Sequence, residues 1–233
     1  MPDDPRGLTI AIDGPASSGK GTVARLVARA LGYAWLDSGS MFRTVALLAT
    51  EAGIPLDDAA TLGALARSLQ FQYLWAGDTL TVRVGDRDVT AAIRTEAVGQ
   101  GASQVSAFGP VRQALLERQR GLAAQGAVVM DGRDIGTVVL PDADLKVFLD
   151  ATADERARRR TRDLEERGLP ADFDQILRDI QARDHQDSTR ALAPLRQAED
   201  AVFLDSTGLT PDAVAEIVVS LARARGAGSS AVT

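Results

Sequence analysis

Residues 8–22 constrain this chain more than any other stretch. Leu8-Thr9-Ile10-Ala11-Ile12 is short, apolar and β-branched, the pattern of a buried strand. Gly14-Pro15-Ala16-Ser17-Ser18-Gly19-Lys20-Gly21-Thr22 follows. Val23, Leu26, Val27, Ala30 and Leu31 then recur at helical spacing. Strand, glycine loop and helix in that order match the G-x-x-x-x-G-K phosphate loop. Its glycines let backbone N–H groups turn toward phosphate oxygens, and the helix N-terminus adds partial positive charge. Lys20 supplies a compact mobile charge for the β/γ-phosphates. Residues 14–22 are therefore expected to hold the polyphosphate of ATP.

The bland alternative is a glycine turn beside a solvated lysine. It must explain why Lys20 is one of only two lysines, the other being Lys146, among 26 basic residues. In G-K-[ST] loops the hydroxyl after lysine holds Mg²⁺. Here Gly21 takes that slot. Thr22 can serve, or the metal is held through water and the nucleotide, so no direct metal ligand is assigned. The form G-K-G-T is similar to that of nucleoside monophosphate kinases. GTPases read guanine through N-K-x-D or T-K-x-D. The chain has no asparagine and neither lysine has that context, which excludes the class.

Four more apolar runs, near 33–36, 127–130, 145–149 and 201–204, alternate with helical patterns. This predicts an α/β, three-layer fold, a five-stranded parallel sheet flanked by helices. Helices are expected over 57–68, 95–106, 110–124, 154–168, 172–184 and after Thr210-Pro211, with another opening at Ser38 or Gly39. Residues 69–92 break the pattern with short strand-like runs around turn residues, which reads as an insertion. The expected division is a core of 7–68 and 93–225, an inserted subdomain of 69–92, a lid segment of 154–190, and a frayed tail of 226–233.

The formal net charge of −6 argues against nucleic acid or an anionic membrane as partner. Without cysteine there is no disulfide frame or thiolate, and His185 alone cannot build a multi-histidine zinc site. No run reaches the ~18 apolar residues of a membrane span, and residues 1–7 are unlike a signal peptide. A cytoplasmic monomer acting on small nucleotides is expected.

The remaining motifs fall at strand ends, where ligands bind such sheets. They are Asp37-Ser38-Gly39-Ser40-Met41-Phe42-Arg43, Ala102-Ser103-Gln104-Val105-Ser106, and Asp131-Gly132-Arg133-Asp134-Ile135-Gly136-Thr137. Arginine suits phosphate because its planar fork donates two parallel hydrogen bonds. Each residue also has a plainer reading. Asp37, Asp131 and Ser38 can simply cap turns or helices, Arg112 can be solvated, and Ser103 can be a small packing residue.

Together with I-R-T, A-S-Q-V-S-A and D-S-T, these blocks resemble bacterial cytidylate kinase, a P-loop nucleoside monophosphate kinase, from Ile10 to about Ala222. The resemblance implies an enlarged monophosphate-binding domain in the insertion. It implies that Arg43, Arg133 and Arg190 hold the CMP phosphate, that Ser103, Arg112 and Asp134 read cytosine, and that Asp187 meets the ribose. Asp37 and Ser38 complete the acceptor side. Asp134 can accept from the cytosine amino group, where uracil offers a carbonyl. The family often has tyrosine where Phe42 stands, so a hydroxyl contact there is lost. Residues 184–190 carry fewer arginines than the family pattern.

Residues 154–167 hold six arginines and five acids. The i,i+4 pairs Glu155–Arg159, Arg162–Glu166 and Asp163–Arg167 are expected to absorb most of them. Arg156 and Arg160 share a face and are left free, so they are expected to swing over the ATP phosphates as a lid closes, joining Lys20 and Arg133 as catalytic groups. His185 reads as a surface histidine. The implied reaction is in-line transfer of the ATP γ-phosphoryl group to CMP and dCMP with Mg²⁺. A P-loop kinase for another small acceptor and a non-catalytic ATP-binding protein stay open.

Overall fold

The computed structural model describes residues 7–76 and 79–228. Five strands form one sheet: β1 (Thr9–Asp13), β2 (Ala34–Asp37), β6 (Val128–Gly132), β7 (Leu145–Asp150) and β8 (Val202–Asp205). They lie in the order β2-β6-β1-β7-β8, and every pairing is parallel. Such pairing requires crossovers, supplied by α1 (Lys20–Leu31), α2 (Ser38–Glu51), α5 (Gly109–Ala123), α6 (Ala153–Glu166) and α7 (Phe173–Thr189). The chain ends in α8 (Pro211–Arg223), entered through the cap Thr210 and Pro211.

Strand alternation makes the three layers. Ile10 and Ile12 bury beside Val23, Val27 and Val218 of α1 and α8, while Ala11 between them faces Val45 and Leu36 on the α2 side. Ile10, Ile12, Leu31 and Leu149 are almost fully buried. Each contributes about 1.5–3 kcal/mol relative to an exposed side chain.

A separate antiparallel sheet follows α3 (Ala59–Ser68): β3 (Phe71–Ala76), β4 (Thr79–Val84) and β5 (Arg87–Asp88). The expected turn residues Gly77 and Asp78 lie outside the described residues. Phe71, Tyr73 and Trp75 alternate onto one face of β3 and dock it on the core. The Arg118 guanidinium sits 5.5 Å from the Phe71 ring centre. The Tyr73 hydroxyl lies 3.3 Å from Ser40 Oγ, and Trp75 Nε1 donates to the Trp35 carbonyl at 2.8 Å. The chain then returns through a 3₁₀ turn, Ala92–Arg94, and α4 (Glu96–Val105).

Three features depart from the sequence reading. The polar helix expected over 172–184 continues to Thr189, which puts Asp187 on the helix and Arg190 at its C-cap. Residues Ile135–Val139 form a π-helical turn that no periodicity announces. The tail is not frayed where it is described. Ala227 is buried and its N–H donates to Ala222 O at 3.1 Å, because its methyl closes the end of the α1–α8 layer. Residues 229–233 of that tail lie outside the described residues.

Candidate active site

The carboxyl ends of β1, β2 and β6 open into one cleft of about 860 Å³. The phosphate loop forms one wall. Gly14 is pressed against β7, where a Cβ would fall 2.0 Å from Leu149 O. Ser17 and Gly19 both have positive φ, 58° and 87°, so the loop curls tightly before α1 begins. Ala16, Ser17, Lys20 and Gly21 line the cleft. Gly14, Pro15, Ser18 and Gly19 shape the loop from behind, and Thr22 is exposed outside the lining.

The Lys20 ammonium folds back to donate to Pro15 O at 3.0 Å. Burial, and then the nearby Arg133 charge, hold its pKa well below the usual lysine range. Asp131 moves the opposite way. Burial raises its carboxyl first and repulsion from Asp37 adds to it, while Lys20 offsets part of the rise. Asp37 and Asp131 stand opposite each other in the β2–β6 register. Asp131 is buried and Asp37 half-buried beside it, a carboxylate pair that fits a divalent cation carried in with a nucleotide. Among the described residues no three His, Cys, Asp or Glu side chains gather as a resident metal site.

The opposite wall gathers the acceptor-side candidates. Asp37, Ser38, Arg43, Ser103, Arg112, Arg133, Asp134, Asp187 and Arg190 all line the cleft. Arg43 pairs with Asp37, and Arg112 with Asp134. Arg133 Nε donates to Asp187 Oδ2 at 2.8 Å. Arg190 lies 3.6 Å from Asp134 and 3.9 Å from Asp187. The Ser38 hydroxyl donates to Asp131 O at 2.7 Å. Asp37 also caps α2 by accepting from Ser40 N at 3.1 Å. Phe42 lies under the Arg112 guanidinium, 5.4 Å from ring centre to Cζ.

Several polar atoms here are buried without a hydrogen-bond partner: Ser103 Oγ, Arg43 Nε, Arg183 Nε and the terminal nitrogen of Arg190 that faces Asp134 at 3.6 Å. Native proteins rarely leave such atoms unmatched, so a polar ligand is implied. Arg183 was missed by sequence reading. It lines the cleft, and its pKa is lowered to about 10, first by burial and then by the Arg133 charge, with Arg43 adding. Arg183, Asp187 and Arg190 recur at i, i+4, i+7, so the helical spacing carried the signal once α7 was given its full length.

Arg156 and Arg160 are not free, which corrects the lid expectation. Arg156 is buried, and its guanidinium donates to Ala151 O, Ala16 O and Asp184 Oδ2 at 2.9, 3.0 and 2.6 Å. It braces the back of the phosphate loop rather than lining the cleft. Arg160 does line the cleft but pairs with Asp163 and with Glu96 of α4. Glu155–Arg159 and Asp163–Arg167 form at 2.9 and 3.7 Å, whereas Arg162–Glu166 does not. The i,i+4 count saw partners only within one helix. It could not see Asp184 or Glu96. Arg159 also reaches the phosphate loop, donating to Ser18 O at 3.2 Å.

Two further residues hold the π-helical turn that follows Asp134. Asp13 ends β1 and accepts the N–H groups of Ile135 and Gly136 at 2.8 and 2.7 Å. Burial raises its carboxyl to about 6 despite those bonds. Lys146, unassigned from sequence, is buried with its stem against Gly136 and its ammonium paired with Asp200 at 2.8 Å. His185 is exposed.

Residues 10–224 match the family model described as cytidylate kinase. A cytidylate kinase from Citrifermentans bemidjiense is 48% identical over 219 residues, which is 94% of this chain and 94% of that protein. One from Vibrio cholerae is 48% identical over 207 residues, 89% of this chain and 92% of the relative. A solved structure of an uncharacterized protein from Eubacterium ventriosum shares the fold with a TM-score of 0.50. It has 13% identity and covers 93% of this chain and 98% of that one.

Proposed function

The chain belongs to the cytidylate kinase family, and from that premise we propose that it transfers the γ-phosphoryl group of ATP to CMP and dCMP. The observation that carries this reading is the crowding of Arg43, Arg133 and Arg183 around unmatched donors. Mutually repelling guanidiniums in one cleft are stabilised by an anion between them, and a nucleoside monophosphate supplies a dianion.

The roles follow from position. Lys20 leaves Pro15 O for the β/γ-phosphates, and the phosphate charge returns its pKa toward the ordinary range. Arg43, Arg133 and Arg183 hold the acceptor phosphate, and Arg190 supports it from the helix end. Asp187, held by Arg133, faces the ribose. Ser103, Arg112 and Asp134 read the base. No general base is required, because a monophosphate is already ionised near neutral pH. Catalysis is then alignment of donor and acceptor plus charge stabilisation on the transferred group. Mg²⁺, when bound with ATP, neutralises and orients the donor phosphates. Asp37 and Asp131 would hold it, Asp131 beside Gly21.

Residues 154–190 serve as the lid over the donor and 69–92 as the acceptor-side insertion. Arg160 is the lid cation. Its pair with Glu96 spans lid and α4 and exchanges for phosphate on closure. The protein is taken as a cytoplasmic monomer; among the described residues no helix is long and apolar enough to cross a membrane.

A coupled ADP-release assay with CMP, dCMP, UMP, AMP and shikimate tests the reading. CMP and dCMP should release ADP far faster than the others. Equal turnover of UMP overturns the base-reading roles, and no acceptor-dependent ADP leaves a nucleotide-binding protein.

A further inference from the structure

We propose that Trp35 is a positioning residue for the donor site, acting through Asp131. The inference rests on the reading above that Asp131 is a metal-side carboxylate. Trp35 Nε1 donates to Asp131 Oδ1 at 2.9 Å. Asp131 is itself buried, at 5% exposure. A Cβ placed on Gly21 would lie 3.6 Å from Asp131 Oδ2, and 4.0 Å from both Asp131 Oδ1 and Trp35 Cζ2.

These distances describe how the loop works without a hydroxyl after its lysine. In the common phosphate loop a Ser or Thr at that place offers an oxygen to the metal. Here the place is glycine. The space beside it is bordered by the Asp131 carboxylate and the Trp35 indole, which stand together and are hydrogen-bonded to each other. The carboxylate therefore supplies the oxygen that the loop itself lacks. A free carboxylate could rotate away. The indole occupies Oδ1 and leaves Oδ2 nearer Gly21. An indole nitrogen is donor-only, so it fixes the carboxylate as an acceptor without competing for the cation.

Trp35 is itself held. It lies on β2, the edge strand, and its carbonyl accepts from Trp75 Nε1 at 2.8 Å. The small sheet thus secures the strand segment that aims the indole.

The test uses the full chain with ¹⁵N-labelled tryptophan. Trp35 and Trp75 are the only tryptophans, so two indole N–H resonances are expected, and Trp75→Phe assigns them. Asp131→Ala should move the Trp35 indole resonance, as should Mg²⁺ with a non-hydrolysable ATP analogue. Neither measurement needs CMP, so a failure of the acceptor assignment is separable from a failure here. Trp35→Phe keeps the ring and removes the N–H. It should weaken Mn²⁺ binding to the analogue complex by about 10-fold and lower kcat similarly, with KM for CMP unchanged. In an Asp131→Asn background the same substitution should cost little more. A Trp35 resonance indifferent to Asp131→Ala overturns the proposal. So does an undiminished Trp35→Phe effect in the Asp131→Asn background, which would make Trp35 a packing residue only.

Discussion

Arg112 and Asp134 form an ion pair inside the cleft, with side chains only 13% and 7% exposed. The guanidinium also donates to Ser106 O at 3.1 Å, which fixes its plane. A nearly buried pair of this kind costs desolvation. Here it leaves a carboxylate at the cleft wall, oriented before any ligand arrives.

Asp134→Asn is the sharpest probe of base reading. Asparagine keeps one acceptor oxygen where aspartate has two, so the cytosine amino group and Arg112 compete for it, and the Arg112 charge loses its counter-charge. We expect kcat/KM for CMP to fall on the order of 10²-fold or more while that for UMP changes little. Steady-state kinetics with both acceptors would settle it. An unchanged CMP/UMP ratio removes Asp134 from specificity.

The phosphate loop depends on a close backbone approach. Gly14→Ala would drive a methyl to 2.0 Å from Leu149 O, a carbonyl of the central sheet. We expect a loss of about 3 kcal/mol or more and little soluble protein. Gly121→Ala is the counterpart. It lies within α5 with nothing near the added carbon, and should gain about 0.5–1 kcal/mol. Urea unfolding of both variants compares a glycine required by contact with one that is not.

Asp13 should leave a pH signature in stability. Its folded carboxyl is raised from 3.8 to about 6, so the folded chain holds this proton more tightly than the unfolded chain. Stability from this group is therefore fully present at low pH and declines as pH rises from about 4 to 6. Asparagine does not titrate and cannot accept from both Ile135 and Gly136. Asp13→Asn should be less stable than the parent, with the gap narrowing between about pH 4 and 6. A gap that widens with pH would reverse the assignment.

Arg156 and Arg160 should separate on substitution. Arg156→Ala removes three hydrogen bonds and strands Asp184, so it should cost about 3–5 kcal/mol and raise KM for ATP. Arg160→Ala breaks pairs whose acidic partners are exposed, and the fold should survive. Its expected effect is a strong drop in kcat. Thermal melts beside single-turnover rates distinguish the two, and a near-normal Arg160→Ala rate ends the proposed lid role.

Sequence alone determined the alternation of strand and helix, the phosphate loop, and the chemistry available at strand ends. These are local. A β-branched run, a glycine pair and a 3.6-residue period report on residues a few positions apart, and they survive whatever the distant chain does. The full length of α7 was harder, because its last turn is polar and its burial comes from the cleft. Arg183 lay inside the expected span, but Asp187 and Arg190, which mark its side of α7 as the cleft side, lay beyond it.

Only tertiary structure decided which charges remain available. Arg156 looked free because no acid lies four residues away, yet Asp184 and the Ala16 carbonyl meet it from 28 and 140 positions off. Asp13 reaches Ile135 across 122 positions, and Trp35 reaches Asp131 across 96. A buried donor or charge must find a partner wherever the packed chain brings one. Satisfaction of polar groups is therefore a property of the whole fold, and no window of sequence contains it.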